Sequence, residues 1–181
     1  MSQLIPWLTL GAAVLAFGAV AADGGKVPAT LTITSPAFES GGRIPRINSC
    51  DGKDRSPALA WSGVPASAKT LALICDDPDA PVGTWVHWVL YDLPAGQAGL
   101  VEGIPTSPML EGGARQGLNG WSRTGYGGPC PPPGKPHRYF FRLYALDAAL
   151  SLSPGATKQE VLDAMKGHVV GQGELMGTYV R

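Results

Sequence analysis

The residues best suited to chemistry in this 181-residue chain lie in two short stretches. The first is Cys75-Asp76-Asp77-Pro78-Asp79-Ala80-Pro81-Val82-Gly83-Thr84-Trp85-Val86-His87-Trp88. Three carboxylates and two prolines stand there between two apolar runs, Leu71 to Ile74 and Trp85 to Leu90. Proline fixes φ and removes a donor, so the pattern reads as strand, rigid acidic loop, strand. It brings Asp77, Asp79 and His87 to one sheet edge beside tryptophans. The second stretch is Gly127-Gly128-Pro129-Cys130-Pro131-Pro132-Pro133-Gly134-Lys135-Pro136-His137-Arg138-Tyr139. A stiff proline loop again feeds an apolar strand, Tyr139 to Leu146, and a histidine and a tyrosine stand at the junction. Two of the three histidines occupy these junctions.

If the junctions meet, they enclose a pocket walled by imidazoles, a phenol, carboxylates and proline rings. Imidazole N–H groups, a tyrosine hydroxyl and loop amides all donate to the oxygens of an anion such as phosphate. A bare carboxylate would repel that anion. Asp77 therefore suits a supporting role: it would accept from a ring nitrogen of His87, or pair with His137, and fix the tautomer. The prolines hold the walls still, which limits the entropy lost on binding. Trp85, Trp88 and Tyr139 offer apolar area. The ordinary structural account is that Asp-Pro pairs form turns and a strand-start histidine satisfies a loop carbonyl.

Asp77-Pro78-Asp79-Ala80-Pro81, Trp85-x-His87-Trp88 and Gly128-Pro129-x-Pro131-Pro132 leading to His137-Arg138-Tyr139 resemble the two signature regions of the phosphatidylethanolamine-binding proteins, above all the bacterial Raf-kinase-inhibitor-like branch. Ser56-Pro57-x-Leu59-x-Trp61 upstream fits the same pattern. The resemblance runs from about Leu31 to Arg181. It implies a pocket for phosphate-like groups and phospholipid headgroups at the positions of Asp77, His87, Pro129, His137 and Tyr139. Gly127 and Gly128 would let backbone amides approach closely. With Asp79, Tyr126 and Gly128 added from the local sequence, the expected ligand-binding set is Asp77, Asp79, His87, Tyr126, Gly128, Pro129, His137 and Tyr139.

The elements that must position these residues are mostly strands. Leu31–Ser35 alternates and is β-branched. Arg43–Ile47 reads as a short strand weakened by Pro45. Pro57–Trp61 has period two, with Leu59 and Trp61 on one face. Lys69–Ile74 follows, then Trp85 to Leu93, Tyr139 to Leu146 and a closing Leu175–Val180. The Gly-rich span Ala95–Gly128 is long enough to hide short strands, one of them Leu118–Trp121 delivering Tyr126 to the pocket rim. One helix stands out. Thr157-x-x-Glu160 is a capping box, Val161, Leu162 and Met165 share a face, and Gly167 ends it. His168 reads as a helix-end or packing histidine. With 25 glycines and 17 prolines, the composition is that of a turn-rich β fold. The expectation is a mostly β protein, a β-sandwich of the phosphatidylethanolamine-binding type with one or two peripheral C-terminal helices.

Residues 4–22 carry no charge and end in Ala19-Val20-Ala21 before Asp23. That reads as a signal peptide over residues 1–21, a short leader over 22–30 and a domain over 31–181. The alternative is an uncleaved anchor. A signal peptide places the protein in the periplasm or outside the cell. Lys+Arg and Asp+Glu number 14 each, so no basic surface points to nucleic acid. Of three cysteines, Cys75 ends an apolar strand, whereas Cys50 and Cys130 lie in loops. A Cys50–Cys130 disulfide is expected, against the alternative of three free thiols.

The function expected is non-catalytic binding of a small anion, with no cofactor. The resemblance also admits an inhibitor or regulator of a partner protease or kinase. Two His and two Asp would admit metal-assisted hydrolysis. Against it stand the lack of His-x-His or His-x₃-His spacing and of a Gly-x-Ser-x-Gly elbow.

Overall fold

The run Leu71-Ala72-Leu73-Ile74-Cys75 has no polar gap, which suits a strand covered on both faces. The computed structural model, which describes residues 27–181, shows that arrangement. In chain order the strands are β1 (Ala29–Thr30), β2 (Thr32–Thr34), β3 (Leu59–Ser62), β4 (Thr70–Asp77), β5 (Trp85–Pro94), β6 (Gly99–Leu100), β7 (Arg115–Gln116), β8 (His137–Leu146) and β9 (Val169–Tyr179). A helix, α1 (Lys158–Ala164), lies between β8 and β9. A six-stranded sheet has the order β1-β9-β8-β4-β5-β7, and a three-stranded sheet the order β2-β3-β6. All pairings are antiparallel except β1 with β9.

Alternation along β4 divides its side chains between two cores. Leu71, Leu73 and Cys75 face the small sheet, with Ile33, Leu59, Trp61, Trp88, Tyr139, Phe141 and Leu143 in the same cluster. Ala72 and Ile74 join Val89, Tyr91, Leu146, Val161 and Met165 on the outer face. Helix α1 covers that outer face. It has seven residues, too few to persist alone. Burying Val161 and Met165 contributes about 1.5–3 kcal/mol each. The predicted capping box is formed: the Thr157 side chain accepts from the Glu160 amide, and Glu160 accepts from the Thr157 amide.

The sandwich and helix α1 agree with the sequence expectation, and three local features do not. Arg43–Ile47 is not a strand. Arg43 makes one isolated bridge to Thr178, and Pro45 opens a 3₁₀ turn at Arg46–Asn48. Leu118–Trp121 is not a strand either. A single bridge joins Leu118 to Thr124, because the Asn119 side chain accepts from the Trp121 and Arg123 amides and wraps the chain into a turn. The strands hidden in the Gly-rich span are β6 and β7. The sheet also begins at Ala29, inside the span read as a leader. The signal peptide assigned to residues 1–21 lies outside the described residues. Among the described residues no helix is long and apolar enough to cross a membrane.

Candidate functional site

Strand β4 ends at Asp77, opposite Trp85. Pairing thus runs two residues into the acidic stretch before Pro78 stops it. A β-bulge interrupts the β4–β5 ladder at this end: Cys75 pairs with Trp88 and Asp76 with Val86, which leaves His87 with no opposing residue. The extra residue on β5 bends the strand and re-aims its side chain. From the other side of β4, β8 starts at His137. The two histidines and Asp77 thereby reach one cleft of about 190 Å³, lined also by Ala80, Pro81, Val82, Trp85, Trp121, Cys130, Pro131 and Pro132.

Each carboxylate of the acidic stretch has a separate partner. Asp76 points to the outer face and accepts from Arg142 at 2.6 Å and from Lys158. Asp77 is buried; its Oδ2 accepts from His137 Nδ1 at 2.8 Å and its Oδ1 from the Asp79 amide at 2.8 Å. Asp77 is fully engaged and acts by holding the His137 ring. Asp79 does not line the cleft. It accepts from the Arg138 guanidinium at 2.7 Å and from the Arg138 amide at 2.9 Å, so it ties the acidic loop to β8 from outside. Those bonds hold its carboxyl at a pKa of about 2.

His87 is buried, and its Nδ1 lies 2.6 Å from the Gly127 carbonyl. A carbonyl only accepts, so Nδ1 carries the proton and Nε2 is the free nitrogen. Burial lowers the His87 pKa below its ordinary value, and the Gly127 carbonyl offsets part of that shift. The neutral ring with an accepting Nε2 is therefore the favoured form. Tyr139 and Trp121 meet the His87 ring edge-on at 5.0 and 5.3 Å, and Trp85 meets Trp121 at 5.3 Å. The Tyr139 hydroxyl lies near Asp77 without a hydrogen bond of good geometry, and burial raises its pKa. Trp85 Nε1 is also buried without a partner. Two buried donors, Tyr139 Oη behind the cleft and Trp85 Nε1, thus have no hydrogen-bond partner among protein groups, which native structures rarely tolerate.

The sequence-predicted set divides accordingly. Asp77, His87 and His137 line the cleft, and Tyr139 backs it. Tyr126 lies elsewhere: its hydroxyl donates to the Asn48 carbonyl at 2.8 Å, and its ring packs on Trp88 at 5.5 Å. The turn at Asn119 carries it inward, away from the rim. Gly128 and Pro129 are spent on fastening the loop. The Gly128 amide donates to Asp54 at 2.6 Å, and the Pro129 carbonyl accepts from the Cys50 amide. A Cβ on Gly128 would stand 2.4 Å from the Asn48 carbonyl oxygen, so close backbone packing, not ligand approach, requires glycine there. Trp88 is fully buried and donates to Gln116, so it offers no wall. His168 pairs with Asp147 on the surface. The bridge Cys50–Cys130 is formed, and Cys75 is free and buried. Trp121, Pro131 and Pro132 were not singled out as ligand contacts. Trp121 follows a glycine in a turn, and no periodicity marked it. A larger cleft of about 510 Å³ lies on the sheet surface over Arg142, Tyr144 and Gln172. It has no histidine and no aspartate, so the smaller one is the candidate site.

The sequence profile of the family described as phosphatidylethanolamine-binding protein matches residues 34–180. The chain belongs to this family. A UPF0098 protein of Methanothermobacter thermautotrophicus is 53% identical over 151 residues, which is 83% of this chain and 99% of that protein. A UPF0098 protein of Aquifex aeolicus is 43% identical over 174 residues, 95% of this chain and 99% of its own. Two solved family structures superpose well. The Chlamydia trachomatis phosphatidylethanolamine-binding protein homologue CT736 has a TM-score of 0.77 at 44% identity, over 84% of this chain and 98% of CT736. YbcL of Escherichia coli has a TM-score of 0.78 at 30% identity, over 83% of this chain and 98% of YbcL. The family fold is thus the two-sheet sandwich described above.

Proposed function

We propose that this family member binds a small anionic ligand, a phosphate group that is free or part of a phospholipid headgroup, and does not transform it. One observation carries the reading: two imidazoles from distant stretches, His87 and His137, line one cleft together with Asp77, which holds the His137 ring. His137 Nδ1 is held by Asp77, so its Nε2 is the ring atom left to face a phosphate. The free Nε2 of neutral His87 accepts, so it suits an oxygen that still carries a proton. A singly protonated phosphate offers both kinds of oxygen. Trp121, Pro81 and Pro132 supply area for carbon atoms of a headgroup.

Metal-assisted hydrolysis lacks comparable support: among the described residues no group of three or more His, Cys, Asp and Glu side chains is arranged to hold a metal ion. Export is part of the proposal. It is supported by the uncharged N-terminal run and by the disulfide, which persists in oxidising compartments. For a protein target such as a protease or kinase, the family resemblance is the sole support.

The test is thermal unfolding with inorganic phosphate and with O-phosphoethanolamine. Ligand at one hundred times Kd stabilises by about 2.7 kcal/mol. His87→Ala and His137→Ala should each remove the shift while leaving the unliganded protein folded. Absence of a shift with both compounds in the unaltered protein would refute the proposal.

A further inference from the structure

The wall made by Pro131 and Pro132 is fastened in an unusual way. Residues 127–129 are anchored by hydrogen bonds: the Gly127 amide to the His87 carbonyl, the Gly128 amide to Asp54, and the Cys50 amide to the Pro129 carbonyl. Beyond that point the anchoring stops. Residues 130–135 make no main-chain hydrogen bond to any described residue, and three of them are prolines with no N–H to give. The next fixed point is His137, where β8 begins. Gly134, at φ +135° with open space around its Cβ position, is a ready hinge. Between these points the covalent tether is the Cys50–Cys130 bridge, and Cys130 itself lines the cleft. Both half-cystines are exposed to solvent. The Arg181 guanidinium stands 4.0 Å from Cys130 Sγ, placed there by its 3.0 Å bond to Asp51.

We infer that the Cys50–Cys130 bridge is a thiol–disulfide exchange site whose redox state gates the anion cleft; the gating half of this inference rests on the function proposed above. The reductant is a dithiol. One of its thiolates attacks Cys50 Sγ, the Cys50–Cys130 bond breaks, and its electron pair leaves on Cys130 Sγ beside the Arg181 cation. A thiolate next to a guanidinium is the better leaving group. The second thiolate of the reductant then attacks its own sulfur in the mixed disulfide and releases Cys50. Two electrons and two protons pass from the dithiol to the protein, and the reductant leaves as an internal disulfide. With the tether cut, the Cys130–Pro132 wall turns about Gly134 and the cleft opens to solvent. The free thiol Cys75 is buried, and burial raises its pKa far above the ordinary value, so it takes no part.

Coupling of two equilibria is reciprocal: if the disulfide form binds phosphate more tightly, phosphate must make the disulfide harder to reduce by the same factor. The experiment compares oxidised protein, dithiothreitol-reduced protein and the Cys50→Ser/Cys130→Ser double variant. Three quantities are read. The first is the Kd for inorganic phosphate. The second is the reduction potential of the bridge with and without phosphate. The third, needing no ligand, is the solvent exchange rate of the His87 Nδ1 proton by nuclear magnetic resonance. The expected result is a Kd about tenfold weaker in the reduced protein and the double variant. The same factor appears as a potential lower by about 30 mV when phosphate is saturating. Exchange of the His87 proton accelerates on reduction. Equal Kd values and equal exchange rates in the two redox states would overturn the inference. If the oxidised protein binds neither phosphate nor O-phosphoethanolamine, the proposed function falls, and the exchange rate alone decides whether the bridge holds the wall.

Discussion

Tyr139 has a buried hydroxyl with no protein partner. Such a group is carried at a cost, and replacing it with a ring of the same shape removes that cost. Tyr139→Phe should therefore leave the unfolding free energy unchanged or raise it by up to about 1 kcal/mol. The same change should weaken phosphate binding, because it deletes a donor beside the cleft. Denaturant unfolding and titration calorimetry on the one variant separate the two effects. His87 supplies a pH prediction. Its pKa in the folded chain lies below the ordinary value of 6.5. Between the lowered value and 6.5 the unfolded chain binds the extra proton, so stability rises with pH there. The contribution is complete above 6.5 and is lost as the pH falls below it. His87→Asn keeps a donor for the Gly127 carbonyl but does not titrate. The melting temperature of the unaltered protein should fall more steeply from pH 7 to pH 5 than that of the variant; parallel curves would contradict the buried neutral imidazole.

At the scale of elements, the cleft depends on a bulge and a turn. The bulge frees His87 from the β4–β5 ladder, and the Asn119 turn brings Trp121 over it. That turn packs Gly120 on Trp85: a Cβ at this position would lie 2.4 Å from the Trp85 ring. Gly120→Ala must displace the indole, at about 1–3 kcal/mol, typical of an overpacked site, and phosphate affinity should fall with it. Crystal structures or tryptophan fluorescence of the variant would report the displaced ring. Thr157→Ala is the contrasting case. It removes the α1 cap on the outer face, so stability should drop by about 1 kcal/mol with phosphate affinity unchanged. Strands with long apolar patterns, such as β4, β5 and β8, were legible in the sequence. Residues 43–47 and 118–121 misled, because Pro45 and Asn119 impose local turns that outweigh the β propensity of their neighbours. The bulge had no signal at all, since it exists only between two strands.

For the whole molecule, the Cys50–Cys130 bridge closes a loop across 80 positions. By chain entropy such a crosslink contributes about 4.5 kcal/mol, against an observed range of about 0–5 kcal/mol. The double variant Cys50→Ser/Cys130→Ser should accordingly unfold at lower urea concentration with a larger slope, because its unfolded chain exposes more surface. An unchanged midpoint would show that the bridge stabilises the cleft wall alone. The zero formal net charge leaves association to local features, and Val82 and Trp121, both exposed, frame the mouth of the cleft.

Sequence by itself determined the class of fold and pointed to the cleft's imidazoles, to Asp77 and to the cysteine pair. Each rests on a local pattern: apolar periodicity, proline loops feeding strands, cysteines in loops. Only the tertiary structure decided that Asp77 holds His137 and not His87, that Tyr126, Gly128 and Pro129 fasten the scaffold, and that Trp121 and Pro132 wall the cleft. Those outcomes depend on which groups meet across sheet edges and loops. A chain of residue types fixes what each side chain can donate or accept, but the partner it finds is set by strand register and loop path.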